Sequence, residues 1–222
     1  PKILNDDVTR VMLDNCFIFM DSGGFLIRNI LEADQDIEVF FDDGLTVSWK
    51  RILHLQNTFA HIGNNVDVLA LPSNLGLKEI SEINHRFIDL YLSSNKNFLF
   101  FPTVHAHSLA ALKLSVEKLQ KCNDSDYKGI AVGGLVLLKS DWMKIISRLF
   151  YVKSFFPEAL IHAFGVGNPA LLPALFSMGI TSVDSTSYIQ YGLNWKYIHP
   201  DSFKVFDVVN LKERLPCNCK IC

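Results

Sequence analysis

Four apolar runs in this chain each end on a short polar or glycine-rich motif, and helical patterns fill the space between them. CFIFM leads into Asp21-Ser22-Gly23-Gly24-Phe25, and GIAV leads into Gly133-Gly134-Leu135. ALIHA leads into Phe164-Gly165-Val166-Gly167, and MGITS into Val183-Asp184-Ser185. This order predicts parallel strands joined by crossover helices, with the polar motifs gathered at the strands' C-terminal ends. A β/α barrel builds its active site there.

The strand candidates are 16–20, 66–71, 98–104, 129–132, 160–164 and 180–183. They are rich in Val, Ile, Phe and Leu without clean alternation, as parallel strands buried on both faces should be. Helical patterns cover 49–62, 78–92, 107–122, 141–155 and 169–178. The repeat of about 30 residues is the size of a βαβ unit. IEVFFDDGLTV, 37–47, breaks the rhythm: Asp43-Gly44 between two apolar runs reads as an inserted β-hairpin. Six strands are two short of a closed eight-stranded barrel, so either the sheet is open or strands precede Pro1. Pro1 in place of Met reads as an excised piece.

At 222 residues the chain suits one domain with a sizeable core, and its 17 Phe fit a well-buried α/β protein. A net charge of −2 removes any global attraction to polyanions, so a nucleic-acid surface must be local. No apolar run approaches the roughly 20 residues of a membrane span. Three of the five cysteines, Cys217, Cys219 and Cys222, fall in the last six residues. A disulfide framework would space them more evenly. The pattern reads as a metal site in a reducing, cytoplasmic setting, with three thiolates suited to tetrahedral zinc and a fourth ligand missing.

Asp21 and Asp184 each follow an apolar strand. Together they offer the carboxylate pair that glycosyl transfer requires, one nucleophile and one acid/base. Each also fits an N-cap or turn role. Gly133-Gly134-Leu135 offers bare backbone groups that can read the edge of a planar base, although Gly-Gly turns are common after strands. His105 stands at a strand end, where it can face the site. His162 lies within a strand and reads as structurally partnered, while His54, His61 and His85 fall on helical patterns. Lys139, Lys144, Arg148 and Lys153 on one helix, with Lys196 and Lys204, are the candidate phosphate contacts. A solvated helix face explains the first four equally simply.

Taken together, DSGGF, IEVFFDDG, VDVLALP, IAVGGL, FGVGNPALL, VDSTSY and CNCKIC resemble the tRNA-guanine transglycosylases over nearly the whole chain. The final stretch is most similar to the archaeosine-type branch and its DNA-modifying relatives. The resemblance implies a TIM-type (β/α)8 barrel that lacks its first strands, with an inserted β-hairpin. It implies a barrel domain over 1–210 and the start of a zinc-binding subdomain over 211–222. The implied reaction replaces guanine in tRNA with a 7-deazaguanine through a covalent Asp-linked intermediate. Asp184 matches the nucleophile and Asp21 the acid/base. Ser22, Phe25, Phe164, Gly165, Gly133, Gly134 and Leu135 match the base-binding positions, and Cys217, Cys219 and Cys222 match three ligands of a structural zinc.

Departures from the family pattern cluster around base recognition. Leu26 replaces a Gln, Pro72-Ser73 stands where a base-reading Asp is usual, and Val104-His105-Ala106 replaces VQG. Ser73 and His105 therefore enter the expected base shell as substitutes. The same chemistry on DNA, or a non-catalytic partner subunit, are the alternative readings. Family members often form homodimers, which the resemblance extends to this chain.

Overall fold

The computed structural model describes residues 16–23, 27–33, 36–41, 44–67, 76–122, 127–138, 141–185, 187–199 and 204–210. Strand β1 (Phe19–Met20) comes first. Next is an antiparallel sheet of β2 (Ile27–Ala33), β3 (Asp36–Phe41) and β4 (Thr46–Ser48). β3 and β4 pair in the register Val39↔Val47. Ser48 then caps α1 (Trp49–Phe59), its hydroxyl accepting from Arg51 N at 3.3 Å. Trp49, Ile52, Leu53 and Gln56 recur at helical spacing and form the buried face of α1.

The remaining elements alternate. β5 (Ile62–Gly63) precedes α2 (Leu77–Leu92), and β6 (Leu99–Phe100) and β7 (Thr103–His105) precede α3 (Leu109–Leu119). β8 (Gly129–Gly133) leads through a short 3-10 turn, Leu135–Leu138, into α4 (Trp142–Phe155). β9 (Leu160–Ala163), α5 (Leu172–Ser177), β10 (Ser182–Val183) and α6 (Ser187–Leu193) follow. An antiparallel pair, β11 (Lys196–Ile198) with β12 (Val205–Asp207), lies beyond them.

The central strands are all parallel, in the orders β1-β5-β6 and β7-β8-β9-β10. β6 and β7 are two parts of one extended stretch, interrupted at Phe101-Pro102. Phe101 N donates to Gly63 O at 3.0 Å on one side, and Ala131 N donates to Pro102 O at 3.0 Å on the other. Proline has no N–H to give a ladder, which accounts for the interruption. The two short sheets thus form one run of parallel strands.

Side chains alternate across this run with the period of two that a strand imposes. Ile130 and Val132 of β8, and Ile161 and Ala163 of β9, join the main core beneath Leu112 and Val116 of α3 and Leu149 and Val152 of α4. Each of these Val, Leu and Ile side chains, fully buried, contributes about 1.5–3 kcal/mol. Ala131 points the other way, into a second cluster with Ile62 and Phe101, against which Phe19 and Phe164 pack. His162 also points inward, its ring 4.2 Å from that of Phe19. β1 and β9 are far apart in strand order, so this contact requires a strongly curved sheet whose inner face is filled by side chains.

One stretch departs from the sequence expectation. The helix predicted over 49–62 ends at Phe59, and the chain enters the sheet at Ile62–Gly63, ahead of the strand predicted over 66–71. Gly63 is pressed so closely that a Cβ there would lie 2.8 Å from the Phe98 ring. Beyond it, side chains replace the backbone ladder: Asn65 Oδ1 accepts from Thr103 N at 2.9 Å, and Asn64 Nδ2 donates to Thr103 Oγ1 at 3.1 Å. Residues 68–71 lie outside the described residues. Among the described residues, no helix is long and apolar enough to cross a membrane.

Candidate active site

The parallel strands place their following residues on one rim. Asp21 and Ser22 follow β1, and Asn64 to Asp67 follow β5. His105 ends β7, Gly133 ends β8, Phe164 and Gly165 follow β9, and Asp184 follows β10.

Asp21 sits at a turn where Gly23 adopts φ +79°. Its carboxyl opens to solvent on one side and has protein atoms around the rest, and its Oδ1 accepts from Ser22 N at 2.7 Å. Burial in these surroundings, and then the negative charge of Asp67, push its pKa up to about 6. Hydrogen bonds from Ser22, Asn64 and Gly23 work in the opposite direction and are outweighed. Ser22 is buried. Its N–H donates to Asn64 Oδ1 at 3.1 Å and its hydroxyl to Asp67 Oδ1 at 2.9 Å.

Asp184 is more open, with 53% of its side chain exposed. Gly165 N donates to its Oδ1 at 2.5 Å, and Gly167 N donates to its carbonyl at 3.2 Å, so the β9 loop holds this aspartate. Gly165 is required there. It adopts φ +70°, and a Cβ would lie 2.1 Å from Val136 Cγ2. Behind the carboxylate, His162 Nε2 lies 3.7 Å from Asp184 Oδ1 while Nδ1 meets Ser182 Oγ at 2.9 Å. Burial pushes the His162 pKa down to about 4 against the pull of Asp184, so the ring is neutral at pH 7.

An aromatic group stands behind Asp184, and the strand that leads to Asp21 contributes to it. The Phe19 ring, two residues before Asp21, packs on His162 at 4.2 Å and on Phe164 at 5.8 Å. Phe164 is half-buried at the end of β9, edge-on to His162 at 4.6 Å. Gly133 gives its carbonyl to Ala106 N at 2.8 Å, and Leu135 is fully buried. Gly134 turns the chain with φ +76°. His105 is 3% exposed and has both ring nitrogens engaged, Nδ1 with Asn84 Nδ2 at 3.2 Å and Nε2 with Asp67 Oδ2 at 3.2 Å.

Of the residues singled out from sequence, Asp21, Ser22, His105, Gly133, Gly134, Leu135, Phe164, Gly165 and Asp184 share this rim. Phe25, Leu26, Ser73, Cys217, Cys219 and Cys222 lie outside the described residues. Sequence reasoning passed over Asp67, Asn64, Asn84 and Thr103. A signal was available: an acid inside the apolar run VDVLALP must be paired if it is buried. Of the candidate basic residues, Lys139 lies outside the described residues, Lys144 pairs with Asp141 at 2.8 Å and Lys153 donates to Ala159 O at 3.1 Å. Away from the rim, donor atoms of His85, Asp89 and Cys122 lie within 4.8 Å of one another. The charges of Lys118 and Lys121 bear on His85, and positive charge there opposes a cation.

These features define an α/β protein with carboxylates at the C-terminal ends of curved parallel strands, the arrangement of β/α-type enzymes. The chain belongs to the queuine tRNA-ribosyltransferase (TGT) family, whose model matches residues 5–222. It is similar to the tRNA-guanine(15) transglycosylase of Saccharolobus solfataricus, 31% identical over 226 residues that cover 100% of this chain and 42% of that protein. The enzyme of the same name from Pyrobaculum aerophilum is 32% identical over 97% of this chain and 42% of its own length. That from Korarchaeum cryptofilum is 27% identical over 92% and 33%. The chain therefore spans well under half the length of these curated relatives.

Proposed function

We propose that this chain carries the catalytic centre of a base-exchange transglycosylase that replaces guanine in tRNA with a 7-deazaguanine. The observation that supports the reading is that Asp21 and Asp184 each follow a parallel strand, β1 and β10, while Phe19 of β1 packs on His162 and Phe164 beside Asp184. Asp184, oriented by Gly165 N–H, attacks C1′ of the target nucleoside. The C1′–N9 bond breaks, an ester forms between the Asp184 carboxylate and C1′, and guanine leaves with a proton supplied by a nearby acid. The incoming base then attacks C1′, the ester bond breaks and the Asp184 carboxylate returns. Asp21 takes up the proton that the incoming base loses. A carboxyl that titrates near pH 6 suits proton transfer at neutral pH. The covalent step divides one difficult exchange into two easier ones.

In this reading Phe25 and Phe164 stack on the two faces of the base. Gly133, Gly134 and Leu135 read its edge through the backbone, and Ser22, Ser73 and Gly165 complete the shell. His105, buried behind Ser22, acts on that shell through Asp67. The parallel strands form part of an eight-stranded barrel over 1–210. Cys217, Cys219 and Cys222, within 211–222, supply three thiolates to a structural zinc, a donor set chemically suited to that ion. The relatives' shared name, tRNA-guanine(15) transglycosylase, favours tRNA over DNA as the polynucleotide. The base must leave its stack to reach the rim.

The test is adduct trapping. The protein, incubated with guanine-containing tRNA or with duplex DNA and then denatured, is expected to carry a covalent nucleic-acid adduct with tRNA alone. Asp184→Asn is expected to carry none. An adduct with DNA only moves the substrate, an adduct in Asp184→Asn removes the nucleophile, and no adduct with either polymer overturns the reading.

A further inference from the structure

Asp67 is 2% exposed, too enclosed to touch a substrate, yet it is the hub of a buried polar chain. Its Oδ1 accepts from Ser22 Oγ at 2.9 Å, and its Oδ2 faces His105 Nε2 at 3.2 Å. Asn84 on α2 approaches His105 Nδ1 through Nδ2 at 3.2 Å. An amide nitrogen only donates, so Nδ1 accepts and the ring hydrogen lies on Nε2, directed at Asp67. From the other side Asn64 accepts from Ser22 N and donates to Thr103 Oγ1. The chain thus runs from α2 through β7 to the residue after Asp21.

Burying a carboxylate is costly unless it is fully hydrogen-bonded, and an apolar core would serve stability as well or better. Its retention here calls for a task beyond packing. We infer that Asp67 is a positioning residue for Asp21: gripping Ser22 and His105, it fixes the backbone from which Asp21 projects and sets a buried negative charge beside it. The inference rests on the reading of Asp21 as the proton-transfer group. Two nearby carboxyls whose surroundings differ separate into a fixed charge and a proton carrier. The upward shift of Asp21 agrees, with Asp67 its second cause after burial. Of the other titratable or charged groups, His105 and Tyr91 face Asp67, and His107 and Arg148 lie beyond His105. Tyr91 hydroxyl is pushed up by burial and by Asp67 and stays neutral. His107 is pushed down by burial and by His105 and Arg148.

The test uses the full chain with 13C-labelled aspartate carboxyls, the Asp21 signal being identified by its loss in Asp21→Asn. In the wild type this signal is expected to titrate near pH 6, and in Asp67→Asn to move toward the ordinary aspartate value. Ser22→Ala keeps the charge and removes one grip. There the Asp21 titration should stay high while kcat for base exchange falls about tenfold or more with KM little changed, the scale of a misplaced catalytic group. His105→Gln, which keeps a donor, should retain more kcat than His105→Ala. A folded Asp67→Asn with unaltered Asp21 titration overturns the charge role. If that variant does not fold, an unchanged kcat in Ser22→Ala overturns the positioning role. If the wild type exchanges no base at all, the proposed function fails while the titration still decides whether Asp67 acts on Asp21.

Discussion

Gly165→Ala tests whether the loop after β9 is a strained cradle for Asp184. Two separate costs arise at this position. The backbone is left-handed at φ +70°, which an L side chain enters at about 1–2 kcal/mol. The new Cβ would lie 2.1 Å from Val136 Cγ2 and the next nearest atom, Val136 Cβ, is at 3.6 Å. Val136 is 47% exposed, so its methyl can swing away, at about 0.5–1.5 kcal/mol for an off-rotamer position. The sum is about 1.5–3.5 kcal/mol, or a fall in Tm of about 3–14 °C at about 2–4 °C per kcal/mol for a chain of this size. Val136→Ala in the same background should recover the contact cost and leave the backbone cost in place. Thermal unfolding of the wild type, both single variants and the double variant forms the cycle that separates them. An unchanged Tm in Gly165→Ala, or complete recovery in the double variant, refutes this reasoning.

Two further outcomes follow from buried polar groups. The folded His162 pKa of about 4 lies below its ordinary 6.5, so the unfolded chain gains a proton first as pH falls. The neutral ring's contribution is present above pH 6.5 and is lost as pH falls toward 4. Between pH 7.5 and 4.5, His162→Gln should therefore gain about 2–3 kcal/mol relative to the wild type in denaturant unfolding. A constant difference across that range contradicts the assignment. Gln56 is fully buried and its Nε2 donates to Met20 O at 3.1 Å and Asn64 O at 2.9 Å, tying the end of β1 to the residue after β5. Gln56→Leu keeps the volume and strands both carbonyls, at about 1–3 kcal/mol each. A variant with wild-type urea stability shows that these bonds contribute nothing.

Much of the architecture was legible because burial on both faces of parallel strands leaves a plain mark: short apolar runs closed by Gly, Asp or Ser and separated by helical spacing. The runs over 129–132, 160–164 and 180–183 fall on β8, β9 and β10 to within two residues. The pairing at Ile62–Gly63 was not legible, because apolar content does not reveal where backbone pairing starts. Gly63 supplies the close approach there, and Asn64 and Asn65 continue the contact with side chains. Those asparagines read locally as loop residues.

The sequence by itself determined which chemical groups stand at strand ends, since a strand that stops at Met20 or Val183 leaves the next residue on the rim whatever its neighbours do. Only the tertiary structure decided which of those groups act on one another. Asp21 and Asp67 are 46 positions apart in number, and nothing local marks them as a pair. His105, which reads in sequence as a residue facing the site, is buried against Asp67, and His162, read as structurally partnered, meets Ser182 and also stands behind Asp184. Such pairings depend on the order of strands in the sheet. β1 lies beside β5, β5 beside the β6–β7 stretch and β9 beside β10, so groups far apart in the chain become neighbours, and with them it is set which carboxyl holds its proton.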